Sequence, residues 1–378
     1  MNIKRLKLID KYFLFILSVI LAFGLIILYS ASSGITSDAY FYLKKQAFFM
    51  TVGIVLAFFI IRFDYTQLEK YSRYLYSISV IILIVVLIFG TEVRGTTGWI
   101  AFPGLPPMQP AEFTKILLIV SFADFLSRRK GELNTFSQLL PCFLYMGLPF
   151  ILIMMQPDLG TALVYIIITI TMMFLAGANP RLLSWLIGGL AAFIALMVFM
   201  HFQFNMWLPL DDYQIKRLAV FVDPYKDGQG GRGAGWNTIQ SLIAIGSGGF
   251  TGMGLFNGTQ VQLNFLPERH TDFIYAVIGE ELGFLGASLI ILLYGLLLLR
   301  SVVISYNARE LNGTLIVAGI TAMWLFHIYE NIGMCIGLMP ITGIPLPFLS
   351  YGGSSMITNM IGVGLILSVN IRGKKIVF

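Results

Sequence analysis

The run YFLFILSVILAFGLIILYSA, Tyr12 to Ala31, is twenty residues long and carries no charge. At ~1.5 Å rise per residue, a helix of that length crosses the ~30 Å hydrocarbon core of a bilayer; it is too long for the apolar core of a signal peptide. It reads as a retained membrane helix, and the rest of the chain repeats it. Of 378 residues, 57% are hydrophobic and 12% charged, with a mean hydropathy of +0.83. No soluble core could hide that much apolar surface. Apolar runs, separated by charged or Gly/Pro segments, fall near 12–31, 45–62, 74–91, 110–127, 137–155, 158–176, 182–200, 272–299, 313–337 and 353–371. The expected fold is an all-α integral membrane protein: a single polytopic domain over 1–378 with about ten transmembrane helices. A large extracytoplasmic loop, 201–271, is expected between helices 7 and 8.

The net charge of +6 reports topology, because the basic residues are dispersed among the spans and form no nucleic-acid patch. If the N-terminus is cytoplasmic, inner segments carry sixteen cations, from Lys4, Arg5 and Lys7 to Arg372, Lys374 and Lys375, while short outer segments carry three, Lys44, Lys45 and Arg94. The positive-inside bias then places both termini in the cytoplasm. It also places four irregular segments on the outer side: Arg94 to Gln109, Gln156-Pro157-Asp158, the loop 201–271 and Pro340 to Ser355. Their convergence predicts an extracytoplasmic site. The long loop holds Trp207, Phe221, Trp236, Phe250 and Phe256, and is expected to fold back as amphipathic pieces on the membrane surface. Cys142 and Cys335 lie in separate apolar segments without metal-ligand spacing and read as small buried hydrophobes.

The densest polar cluster is Leu266-Pro267-Glu268-Arg269-His270-Thr271-Asp272-Phe273, with four ionisable side chains in five positions just before a long apolar helix. A carboxylate at a membrane edge must stay hydrated, pair with a cation or meet a ligand, so Asp272 is the first functional candidate. Glu112 and Asp158 follow prolines at the starts of spans four and six, where first-turn acids are also ordinary helix-start devices. Lys115, three residues after Glu112 and a turn deeper, is either a functional ammonium or the partner of that acid. Glu280 and Glu281 lie about 12 and 13 Å along the helix from Asp272. They line a hydrated cleft or pair with neighbouring helices. His327 and Glu330 share a face of span nine and read as a helix-packing pair, and Gly333 with Gly337 offers a GxxxG contact, internal or with a partner. The glycines from Gly246 to Gly258 form no nucleotide loop, since no G-x-x-x-x-G-K-[ST] is present and no nucleotide is expected outside the cell. The histidines His201, His270 and His327 show no ligand-like spacing. A divalent ion shared with substrate phosphates, Mg²⁺ or Mn²⁺, stays open as a cofactor. An outer-leaflet carboxylate, an embedded lysine and no nucleotide site suit a lipid with an activated, phosphate-linked head group. Its diphosphate would meet Lys115 or Arg94.

The run 228–286, GQGGRGAGWNTIQSLIAIGSGGFTGMGLFNGTQVQLNFLPERHTDFIYAVIGEELGFLG, resembles the SEDS family of bacterial cell-wall proteins, its RodA branch more than its FtsW branch. QPAEFTK at 109–115, QPDLGTA at 156–162, Gln214 with Arg217, Asp223-Pro224 and GLMPITGIPLPFLSYGGSS at 337–355 extend the likeness over nearly the whole chain. The resemblance implies a peptidoglycan glycosyltransferase that polymerises lipid II, the undecaprenyl-diphosphate-linked disaccharide peptide, during cell elongation. It also implies a class B penicillin-binding protein as transpeptidase partner. By position it makes Asp272 the essential aspartate, and adds Lys115, Glu112 and Arg217 to the site. Glu268 and His270 would form the rim, though Glu268 is as readily a structural cap. Glu330 departs from the family pattern, as an added acid placed to touch a partner. The expected chemistry is inverting: Asp272 deprotonates the acceptor's 4-hydroxyl, which displaces undecaprenyl diphosphate at the donor's anomeric carbon, with Lys115, Arg94, Arg217 or a shared ion offsetting the developing charge. The rival expectations are a lipid II flippase, against which the absence of a visible pair of broken helices weighs, and a non-catalytic scaffold for the transpeptidase.

Overall fold

The computed structural model describes residues 8–33, 35, 38, 40–93, 96–101, 107–204, 206–207, 212–225, 227, 229–233 and 235–373. In chain order the elements are α1 (Lys11–Ser32), α2 (Phe41–Arg62), α3 (Ser72–Phe89), the antiparallel hairpin of β1 (Thr91–Val93) and β2 (Thr96–Trp99), α4 (Pro110–Ser127), α5 (Phe136–Met154), α6 (Leu159–Leu175), α7 (Pro180–Phe204), α8 (Asp212–Val222), α9 (Trp236–Gly248), α10 (Thr259–Gln262), α11 (Ile274–Tyr306), α12 (Leu311–Cys335) and α13 (Gly353–Gly373). Each of the ten predicted apolar runs coincides with one of these helices. Among the described residues, eight helices are long and apolar enough to cross a membrane. Of the other two runs, α4 carries Glu112, Lys115 and Asp124, and α6 has 17 residues.

The elements follow from local chemistry. The Asp10 carboxylate accepts the Phe13 N–H at 2.9 Å and so caps α1. From there Phe13, Leu17, Ile20, Ile27, Leu28 and Ala31 recur at helical spacing as a buried stripe, and α1 packs on α11. The most apolar stretch of α13 is 94% buried within the protein and that of α12 is 78% buried, against 6% for α7. The last two spans therefore form the centre of the bundle, and α7 stands at its periphery.

Two expectations change here. α11 is not one continuous helix: Gly283, at φ 62° and ψ −161°, breaks it. The backbone groups released at the break are taken up by the turn after α9. Phe284 N–H donates to the Gly249 carbonyl at 2.9 Å and Leu285 N–H to that of Phe250 at 3.2 Å. Met253 and Gly254 N–H donate to the carbonyls of Glu280 and Glu281 at 3.0 and 2.9 Å. Irregular backbone at membrane depth persists when protein satisfies it in this way. The loop 201–271 thus lies only partly on the surface. α8 suits that role and Trp207 is exposed, but α9 runs along α11 down to the break. There a Cβ on Gly248 would stand 1.9 Å from the Gly279 carbonyl oxygen, and one on Gly252 2.2 Å from that of Glu281. The glycine cluster is a close-packing seam. Glu280 and Glu281, both fully buried, serve the same seam: Glu280 accepts the Gln260 N–H at 2.8 Å and the Thr259 hydroxyl at 3.0 Å, and Glu281 accepts the Ser30 hydroxyl.

The second change concerns Gly333 and Gly337. Gly337 has φ 76° just beyond α12, and Leu338 N–H donates to the Gly333 carbonyl at 2.7 Å. The pair ends a helix in the left-handed manner glycine favours, and is not a face between helices.

Candidate functional site

A turn builds the end of α11 that carries Asp272. The Glu268 carbonyl accepts the N–H groups of Thr271, Asp272 and Phe273 at 3.1, 3.0 and 3.2 Å, and the Glu268 carboxylate accepts the Thr271 hydroxyl at 3.0 Å. From the other side, Asn331 Nδ2 donates to the Asp272 carbonyl at 2.8 Å, the Ser350 hydroxyl donates to that of Thr271 at 2.6 Å, and Tyr351 N–H donates to that of His270 at 2.9 Å. The peptide of Asp272 is therefore held on three sides.

Asp272 lines a cleft with Val93, Thr96 and Trp99 of the hairpin, Gln109 and Glu112 at the start of α4, Asp158 and Thr161 at the start of α6, Arg217 of α8, and the segment Thr342 to Pro345. All four segments predicted to be irregular and to share one side contribute to this cleft. Asp158 caps α6, accepting the Thr161 N–H at 2.9 Å, and its other oxygen accepts from Gln109 Nε2 at 2.7 Å, which ties the starts of α4 and α6 together. Both helices open at the cleft with their N-terminal, electropositive ends. Arg217 donates to the Ile341 carbonyl at 2.8 Å.

The structure sorts the remaining candidates. Glu112 reaches the cleft but Lys115 does not line it. Lys115 is 1% exposed, donates to Glu112 Oε1 at 2.6 Å and stands 3.2 Å from His327 Nε2. Its ammonium sits behind the carboxylate, one turn into α4, because the three-residue spacing directs it there. Glu268 and His270 line a separate depression with Ile35, Tyr42, Asn264, Pro267 and Arg269; the His270 ring lies 4.4 Å from that of Tyr42. Arg94 falls outside the described residues. His327 and Glu330 do not bond each other: His327 turns to Lys115, while Glu330, fully buried and so unable to touch a partner protein, accepts the Thr342 hydroxyl. Among the described residues no three His, Cys, Asp or Glu side chains converge as a metal site.

Thr342, Asn331 and the hairpin around Trp99 were not singled out in the sequence. The hairpin had a signal, the alternating Thr-Glu-Val and Thr-Thr flanking Arg94-Gly95. Asn331 and Thr342 had none, since their roles depend on contacts with other segments. Between α8 and α9, Asp227 gathers the N–H groups of Gln229, Gly231, Gly233 and Gly235 at 2.7 to 3.2 Å. These donors, Gly231 foremost, hold its carboxyl down to about 2.

The sequence matches the family described as cell cycle protein, FtsW/RodA/SpoVE, over residues 10–375. It is 37% identical over 369 residues to stage V sporulation protein E of Bacillus subtilis, covering 96% of each chain. It is 35% identical over 371 residues to the peptidoglycan glycosyltransferase MrdB of Escherichia coli K12, covering 97% of this chain and 95% of that one. A chain of a peptidoglycan synthase complex, solved for its coordination of polymerization and crosslinking, superposes with a TM-score of 0.80 at 30% identity, covering 96% of this chain and 97% of that one.

Proposed function

The chain belongs to the FtsW/RodA/SpoVE family and is a multi-pass membrane peptidoglycan glycosyltransferase, and from that premise we propose that it polymerises lipid II at the outer leaflet with Asp272 as its base. The observation that carries this reading is the meeting of Asp272, Arg217 and the N-terminal ends of α4 and α6 in one cleft. A carboxylate there takes the proton of the 4-hydroxyl of the acceptor's N-acetylglucosamine. That oxygen attacks the anomeric carbon of the donor's lipid-linked N-acetylmuramic acid with inversion, the bond to the diphosphate breaks, and undecaprenyl diphosphate departs. Arg217 and two helix N-termini offset the charge that develops on the leaving group. Lys115 acts at one remove, by holding Glu112 in the cleft wall. Any Mg²⁺ or Mn²⁺ enters with the substrate diphosphate, and no nucleotide is used.

The whole chain forms one domain with both termini in the cytoplasm. Its role is elongation, on the strength of the RodA-like GWNTIQS and QLNFLPERHTDF motifs. A class B penicillin-binding protein is its crosslinking partner, a reading supported by the likeness to a complex that couples polymerization to crosslinking.

The test is polymerisation of labelled lipid II by the detergent-solubilised protein with its transpeptidase, comparing wild type with Asp272→Asn. Wild type is expected to give glycan ladders, and the variant to lose at least about 10²-fold in rate while still binding its partner. Ladders from Asp272→Asn at near-normal rate would remove Asp272 as base. A verified complex that makes no ladders at all would favour a flippase or a scaffold.

A further inference from the structure

Glu330 is a fully buried acid in the last turns of α12. Its Oε1 accepts the Thr342 hydroxyl, and its Oε2 has no hydrogen-bond partner among the described residues. The next residue, Asn331, donates from Nδ2 to the carbonyls of both Asp272 and Ile344 at 2.8 Å. The end of α12 therefore grips both walls of the cleft, the Asp272 peptide and the 342–344 segment, whose flank Arg217 holds at the Ile341 carbonyl. The walls are close: a Cβ on Gly343 would stand 3.5 Å from Asp272 Oδ2. The charged and titratable groups facing Glu330 are Asp272, Arg217 and Cys335.

A buried carboxyl with one oxygen unpartnered is a structural cost that an apolar side chain would avoid. A glutamine oxygen could accept the same hydroxyl proton. What the carboxyl supplies is an acceptor oxygen fixed on the Thr342 hydroxyl behind the cleft wall. We infer that Glu330 is a positioning residue: it commits the Thr342 hydroxyl proton to itself, so that Thr342 turns only oxygen lone pairs to the cleft and accepts a hydroxyl of the incoming sugar beside Asp272. This rests on Asp272 as the base.

The experiment is steady-state lipid II polymerisation from acid to neutral pH with Thr342→Val, Thr342→Ser, Glu330→Gln, Glu330→Leu and the Glu330→Leu/Thr342→Val double variant, with Asp272→Asn in parallel. Thr342→Val is expected to raise KM about tenfold with a smaller change in kcat, as for one lost hydrogen bond to substrate, and Thr342→Ser to recover most of it. Glu330→Leu should reproduce Thr342→Val, and the double variant should be no worse than either, because the two act as one unit. Glu330→Gln, which keeps an acceptor oxygen for the Thr342 hydroxyl, should hold KM within about threefold of wild type, a rescue that a merely structural need for the carboxyl would not show. An unchanged KM in Thr342→Val, additive losses in the double variant or a KM for Glu330→Gln as high as that of Thr342→Val would overturn the inference. Should Glu330→Leu fail to fold, Thr342→Val and Glu330→Gln decide it. An active Asp272→Asn instead removes the assignment of the base and leaves the Thr342 comparison standing.

Discussion

Lys115 shows what one residue's chemistry can and cannot announce. An ammonium inside an apolar span needs a partner, and the i, i+3 spacing to Glu112 names one, at 2.6 Å in the structure. The spacing is silent on the third member, His327, which is 212 positions away. It is equally silent on which way the ammonium faces, and in the structure it points to Glu112 and His327 and not into the cleft. Breaking a buried ion pair from one side leaves an uncompensated charge, worth about 3–5 kcal/mol. Lys115→Met should therefore lower the Tm of the purified protein markedly, and adding Glu112→Gln should recover most of the loss without restoring glycan ladders. A double variant no more stable than the single one would show that the pair is not the source of the loss.

Among the elements, the broken helix α11 and the descending helix α9 are a single unit. A strand of glycines in an outer loop reads as flexible or nucleotide-binding by composition alone. Its use as a seam appears only when the carbonyls of Gly279 and Glu281 are placed against it. Gly248→Ala or Gly252→Ala must push one backbone off the other and should cost about 1–3 kcal/mol, as overpacking does. Gly246 is the internal control: it lies in α9, nothing stands within 4 Å of its missing Cβ, and Gly246→Ala should be neutral or slightly stabilising. Thermal unfolding of the three variants, followed by size-exclusion chromatography after heating, separates them. Equal loss in all three would mean that α9 tolerates no change for another reason than the seam.

At the scale of the whole molecule, the orientation predicted from basic residues sets the cleft outside the cell. Introduced cysteines test this, because the native Cys142 and Cys335 are both buried. In intact cells, Lys44→Cys should react with a membrane-impermeant maleimide, and Arg129→Cys should react only after permeabilisation. The reverse pattern would place the cleft in the cytoplasm and remove lipid II polymerisation at the outer leaflet. The sequence by itself determined the apolar spans, the predicted sidedness, the four segments that meet and Asp272 as the carboxylate to watch. Hydropathy, charge bias and the cost of a carboxylate at a membrane edge are local or additive properties that can be read along the chain. Only the tertiary structure decided that Lys115 stands behind Glu112, that Glu268 and His270 face a different depression, that α11 is broken at Gly283, and that Thr342 lines the cleft with Glu330 buried behind it. Each of those depends on the direction of a side chain or the pairing of a backbone group across a helix contact, and in a bundle such contacts join residues that lie far apart in sequence.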